Sequence, residues 1–206
     1  VFRHVGAQLK PQTGKAVIWN SLNPDGSPNQ QSLHQAKPVE KGYKAVITKW
    51  FRTRAPHGTS SEMFSNTVNE RVPHYTAKGV LKTQLPKPLF KIVNNYYQDN
   101  RKDLKSEFVA GGFIFDGNTK DASSPSQGST PKSTRCENRP SSSVIELTQQ
   151  LRADIHDALK PLMEDWSGQA LEPTYVYGIR EYHNGAVLKM HRDRIDTHII
   201  SAIINV

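Results

Sequence analysis

The chain has 206 residues, 35% apolar and 22% charged, values ordinary for a globular protein and compatible with one domain or parts of two. No apolar run approaches the roughly 18 residues of a membrane-spanning helix, and a lone cysteine, Cys136, excludes an intrachain disulfide. The net charge of +8 would suit an acidic partner, but the Lys and Arg are scattered rather than interleaved with aromatics, which argues for a solvated basic surface and against a nucleic-acid face.

Lys10-Pro-Gln-Thr-Gly14 is a turn signal, and the apolar run Ala16-Val-Ile-Trp19 after it predicts a strand. Asn23-Pro-Asp-Gly-Ser-Pro28 is dense in residues that set turn dihedrals. Ser32-Leu-His-Gln35 follows, then a second turn at Pro38-Val-Glu-Lys-Gly42. Tyr43 to Phe51 is rich in β-branched and aromatic residues, so a strand is expected there.

Residues 55–72 lack periodicity and read as a linker. Prolines at 86 and 88 suit a first helical turn, and Leu89, Val93 and Tyr96 form one stripe, predicting a helix to about Lys102. Phe108 to Phe115 reads as a strand with a glycine bend. The Ser-, Gly- and Pro-rich stretch from Asp116 to Ser142 has little to bury and reads as a loop. Ser143-Val-Ile-Glu146 fits a capping box ahead of Leu147, Leu151, Ile155, Leu159 and Leu162 at helical spacing. Pro161 should kink that helix, and Gly168 should stop it. Tyr175 to Tyr182 reads as a strand, and the chain ends on the apolar run His198-Ile-Ile-Ser-Ala-Ile-Ile-Asn-Val206. Between them lies His191-Arg-Asp193, an imidazole and a carboxylate that can face one ion. Two histidines and one carboxylate on one face are the ligand set of non-haem Fe(II) oxygenases.

Lys-Pro-x-x-Gly-x-Ala-Val, Leu-x-Pro-Asp-Gly, Ser-Leu-His, Pro-Val-x-x-Gly-x-Lys and Lys-Trp occur in that order over residues 9–54. Together they resemble the C-terminal end of the catalytic domain of prolyl 4-hydroxylases, which are 2-oxoglutarate- and Fe(II)-dependent dioxygenases. The resemblance implies that His34 is the distal iron ligand and that Lys44, ten residues on, binds the far carboxylate of 2-oxoglutarate. A compact ammonium suits a terminal carboxylate. Trp50 corresponds to a tryptophan near the peptide-binding groove. Residues 73–206 resemble the N-terminal part of another oxygenase of the superfamily, with helices, a strand and then His-x-Asp. Tyr182 precedes His191 by nine residues, the separation of a family tyrosine that touches 2-oxoglutarate. The implied metal ligands are thus His34, His191 and Asp193, with Lys44 and Tyr182 on the cosubstrate and Trp50 on the substrate.

The implied fold is α+β: a partial double-stranded β-helix, or jelly roll, with supporting helices, incomplete in this stretch. The implied activity is oxidative decarboxylation of 2-oxoglutarate coupled to 4-hydroxylation of peptidyl proline, with Fe(II) as cofactor and ascorbate as the accessory that the resemblance implies. A peptide or protein substrate is expected, and no nucleic acid. One departure stands out. In the family His-x-Asp precedes the distal histidine and lysine, whereas here it follows them, and only about five strand candidates are found against the family's eight. Val1 is not an initiator, so the simplest expectation is a window cut from a tandem protein: residues 1–54 the tail of one oxygenase domain, 55–72 a linker, 73–206 the head of a second. The alternatives are a circularly permuted single domain with one site, and an oxygenase-like binding module without turnover. In the permuted case the coordinating atoms of His34 and Asp193 should lie within about 7 Å of each other, since each must reach one ion.

Overall fold

Period-two alternation of apolar residues shapes this chain into two antiparallel sheets, as a computed structural model describes for residues 1–23, 27–53, 79–107, 113–117, 141–168, 170–193 and 199–206. The elements in order are β1 (Lys15–Asn20), β2 (His34–Ala36), β3 (Lys44–Thr53), β4 (Val80–Gln84), α1 (Lys87–Asn100), β5 (Lys105–Glu107), β6 (Ile114–Asp116), β7 (Ser142–Ile145), α2 (Gln149–Ser167), β8 (Leu171–Val176), β9 (Ile179–Tyr182), β10 (Ala186–His191) and β11 (Ile200–Asn205). The large sheet runs β4-β1-β11-β3-β9-β7-β5, with β8 also paired to β3. The small sheet runs β2-β10-β6. The class is α+β, and the two sheets are consistent with a partial jelly roll that is not closed. No helix among the described residues is long and apolar enough to cross a membrane.

Strands from the two ends of the sequence are neighbours. β11 sits between β1 and β3, with Trp19 and Trp50 both opposite Ser201. β9 continues beyond β3, with Lys44 opposite Tyr182 and Val46 opposite Arg180. Residues 15–53 and 171–205 therefore interleave hydrogen bond by hydrogen bond.

One face of the large sheet carries Ala16, Ile18, Ala45, Ile47, Phe51, Ile179, Ile200, Ala202 and Ile204, all buried. Against it pack Leu89, Val93 and Tyr97 of α1 and Leu151, Ile155, Leu159 and Met163 of α2, each row spaced four apart on one helix side. At about 25 cal/mol per Å² of apolar surface removed from water, this layer dominates the folding free energy. The opposite face carries Lys44, Val46, Tyr182 and Ser201 and looks toward the small sheet, where Ala186 and Leu188 meet Val46 and Tyr182 in a second cluster.

Several elements differ from expectation. Ser142–Ile145 is a strand rather than a capping box, because Val144 and Ile145 pair with Arg180 and Ile179. The cap is Thr148, whose hydroxyl accepts from the Leu151 N–H at 3.2 Å. Met163 replaces Leu162 at the end of the buried stripe, and Tyr97 replaces Tyr96 in α1. The helix runs through Pro161 to Ser167 and ends at Gly168, whose φ of 66° is the left-handed conformation glycine permits. Of Phe108–Phe115, only the end is described, as β6; most of the Asp116–Ser142 stretch and the 55–72 linker lie outside the described residues. The strand expected over Tyr175–Tyr182 is two, broken at Tyr177-Gly178. A Cβ at Gly178 would stand 2.4 Å from the Ile145 carbonyl oxygen and 2.7 Å from a Val144 methyl. Gly178→Ala should therefore lower stability by about 2 kcal/mol, read as a fall in melting temperature, since backbone must move to admit the methyl.

Lys49 is the most deeply buried charged residue on the helix-covered face, which also holds Glu181. It is fully buried, its Nζ donates to the Trp50 carbonyl at 2.8 Å and lies 4.2 Å from the Phe51 ring centroid. Burial pushes its ammonium down from 10.5 to about 7. Between these values the unfolded chain binds more protons than the folded one, so this residue makes stability rise with pH from about 7 to 10.5. Lys49→Met should stabilise the fold at pH 7 by about 2 kcal/mol and flatten that rise, measured by urea unfolding at pH 7 and 9.5.

Candidate metal centre

The β2–β10 pairing places His34 directly opposite His191, so two imidazoles from distant parts of the sequence leave one face of the small sheet side by side. Their ring centroids are 4.3 Å apart. Asp193, two residues past the end of β10, turns back so that its Oδ1 lies 3.7 Å from His191 Nε2. One ligand atom from each of His34, His191 and Asp193 lies within 4.8 Å of the others. A single ion about 2 Å from each donor needs donor separations of about 3–4 Å, so closure asks for shifts of an ångström or less.

Hydrogen bonding fixes which atoms face the ion. His34 Nδ1 lies 2.9 Å from the Ser32 carbonyl and His191 Nδ1 lies 2.8 Å from the Lys189 carbonyl. A carbonyl only accepts, so each Nδ1 carries the proton and each Nε2 presents its lone pair. The Ser201 hydroxyl donates to Asp193 Oδ2 at 2.6 Å, orienting the carboxylate. Such outer partners hold ligands in place and set their tautomers. Burial pushes His34 down to about 4, with the neighbouring His191 charge acting the same way and Asp193 opposing, so His34 is neutral at pH 7. The donor set therefore fits a divalent ion of the Fe(II) or Zn(II) kind in charge, atom type and protonation.

Aromatic packing holds the site rigid and dry. Trp19 lies 4.8 Å from the His34 ring, Phe2 stacks on His34 at 5.2 Å, and Phe113 approaches His191 edge-on at 6.4 Å. His34 is 5% exposed, which keeps water from competing at its nitrogen.

Lys44 and Tyr182 lie together on the same face, with Lys44 Nζ 4.4 Å from the tyrosine ring centroid. Burial, then the Arg180 charge, lowers the Lys44 ammonium to about 8. Among the described residues no carboxylate is paired with Lys44. Trp50 shares this face across the sheet from Ser201, and its ring meets Tyr177 edge to face at 5.0 Å. His34, His191 and Asp193 thus come together in one cluster and Lys44 and Tyr182 in another contact, while Trp50 lies six residues beyond Lys44 on the same strand. Ser201, Trp19 and Phe2 were not anticipated. Ser201 had a signal, a lone hydroxyl within an otherwise apolar run; Trp19 and Phe2 had none, since their contacts come from chain crossing.

Comparison with known proteins agrees with the sequence motifs. No family profile and no solved structure matches the chain. The plant protein prolyl 4-hydroxylase 13 of Arabidopsis thaliana is 48% identical over 48 residues, 23% of this chain and 18% of that protein. Prolyl 4-hydroxylase subunit alpha-1 of Gallus gallus is 43% identical over 54 residues, 26% of this chain and 10% of that protein. The chain therefore spans under a fifth of the length of these relatives. Over about a quarter of its length, this chain is similar to the prolyl 4-hydroxylases of plants and vertebrates.

Proposed function

We propose that this chain forms one 2-oxoglutarate- and Fe(II)-dependent dioxygenase site of the prolyl 4-hydroxylase kind, assembled in permuted order from residues 1–54 and 73–206. The observation that supports it best is the convergence of His34, His191 and Asp193 with both Nδ1 protons held by backbone carbonyls. Bound there, Fe(II) would supply oxygen activation coupled to decarboxylation of the keto acid. The chain's own residues do the remaining work. His34 and His191 offer Nε2, and Asp193 offers a carboxylate that offsets one of the ion's two charges. Together the three would hold the ion, with the keto acid as its further partner. Lys44 meets the far carboxylate, an anion it lacks among the described residues, and the Tyr182 ring walls the diacid in. Trp50, opposite Ser201 in the sheet, is the residue that would meet a peptide segment carrying proline. Ascorbate is the accessory that the family resemblance implies.

Titration with Mn(II) or Fe(II), followed by calorimetry, should give one site per chain. His34→Ala and Asp193→Ala should each abolish it, because both donors serve the same ion. Metal retained in one variant and lost in the other would refute a single site. Ser201→Ala should weaken metal binding roughly 10- to 100-fold while leaving the melting temperature of the metal-free chain nearly unchanged. Consumption of 2-oxoglutarate should depend on added Fe(II) and rise with a proline-containing peptide; metal binding without any keto-acid consumption would point instead to a binding module.

A further inference from the structure

The interior face beside Lys44 holds a second cation that the ligand scheme does not use. Arg180 is two residues before Tyr182 on β9, so both side chains leave the same face, and it sits opposite Val46 on one side and Val144 on the other. Its guanidinium grips Glu107 of β5 through two parallel bonds, Nε to Oε2 and Nη2 to Oε1, each 2.6 Å. The Ser142 hydroxyl donates to the same carboxylate at 3.2 Å. Both side chains are about four-fifths out of water. Burial alone would favour loss of the Arg180 proton, but the Glu107 carboxylate outweighs it and holds the guanidinium charged.

We infer that Arg180 is a second cation for the far carboxylate of the keto diacid and acts beside Lys44. The inference rests on the proposed cosubstrate role of Lys44. Position carries it. Arg180 shares the inner sheet face with Lys44, and the two cations repel there. Glu107 cancels one of the two positive charges and leaves one over beside the Tyr182 ring. A structural staple between β5 and β9 would need only the Arg180–Glu107 pair, and a buried ion pair adds little stability over apolar packing. One more carboxylate closes the balance. Arg180 also bonds the Tyr182 hydroxyl, tying its position to the ring that walls the same corner.

The test is calorimetric binding of 2-oxoglutarate, and of succinate as a diacid without the keto group, to the Mn(II)-loaded chain. Arg180→Gln should weaken both about tenfold, and Arg180→Lys should recover most of the loss because the charge returns. Glu107→Gln should leave affinity unchanged or tighter, since it removes a competing anion, and the salt dependence of binding should be shallower in Arg180→Gln alone. Equal losses in Arg180→Gln and Glu107→Gln, or wild-type affinity in Arg180→Gln, would overturn the inference. If Arg180→Gln does not fold, the paired variant Arg180→Gln with Glu107→Gln, which leaves no unpaired buried charge, decides it: binding about tenfold weaker than in Glu107→Gln alone supports it, and equal affinity overturns it. No diacid binding by the unaltered chain would defeat the proposed function itself, whereas binding lost in Lys44→Ala and kept in Arg180→Gln would defeat only the role of Arg180.

Discussion

The candidate chemistry depends on one backbone contact, the ladder between β2 and β10 that sets His34 across from His191. Neither histidine has another candidate metal donor within its own stretch of sequence apart from Asp193. Moving the register by one residue would turn one imidazole to the other face of the sheet and dismantle the donor set. The pairing is irregular between Leu188 and His191, where the register shifts. Such shifts re-aim a strand locally, and here the re-aimed end carries His191 and the turn to Asp193. The large sheet guards this arrangement from behind, since Ser201 of β11 both lies across from Trp19 and orients Asp193.

Two faces of the same sheet serve different ends. The helix-covered face is nearly all apolar and supplies stability. The inner face holds Lys44, Arg180, Glu107, Tyr182 and Ser201, groups that cost free energy to bury unless partnered. Strands alternate faces residue by residue, so the two roles share β3, β9 and β11 without competing for positions. Lys49 and Glu181 break the division, putting an amine that donates to the Trp50 carbonyl and a carboxylate bonded by Tyr97 on the apolar side.

Local sequence pattern carried much of the architecture. The helices were legible because Leu89 and Val93, and Leu151, Ile155 and Leu159, repeat at four-residue intervals and are buried for that reason. The first, third and last strands were legible from β-branched and aromatic runs. What local pattern missed was decided by partners far away. Ser142–Ile145 has helix-cap chemistry, yet hydrogen bonds to β9 draw it into a strand. Gly178 looks like a tolerable strand residue until the Ile145 carbonyl, more than thirty positions earlier, crosses close above it. The six site residues were found through motifs of a known family, and the motifs by themselves left open whether they served one centre or two. Distance alone, which no motif contains, puts His34 beside Asp193.

The adjacency of β1 and β11 has a kinetic side. Trp19 and Ser201 are neighbours in space but almost the whole chain apart in sequence, and β3 waits for the same partner strand. Loop-closure entropy must be met before such remote contacts return any free energy, so the sheet centre forms late and folding should be slow for this size. During synthesis β1 and β3 leave the ribosome with unsatisfied edges, able to pair with foreign strands until residues 200–205 arrive. β11 is thus the strand that protects both β1 and β3.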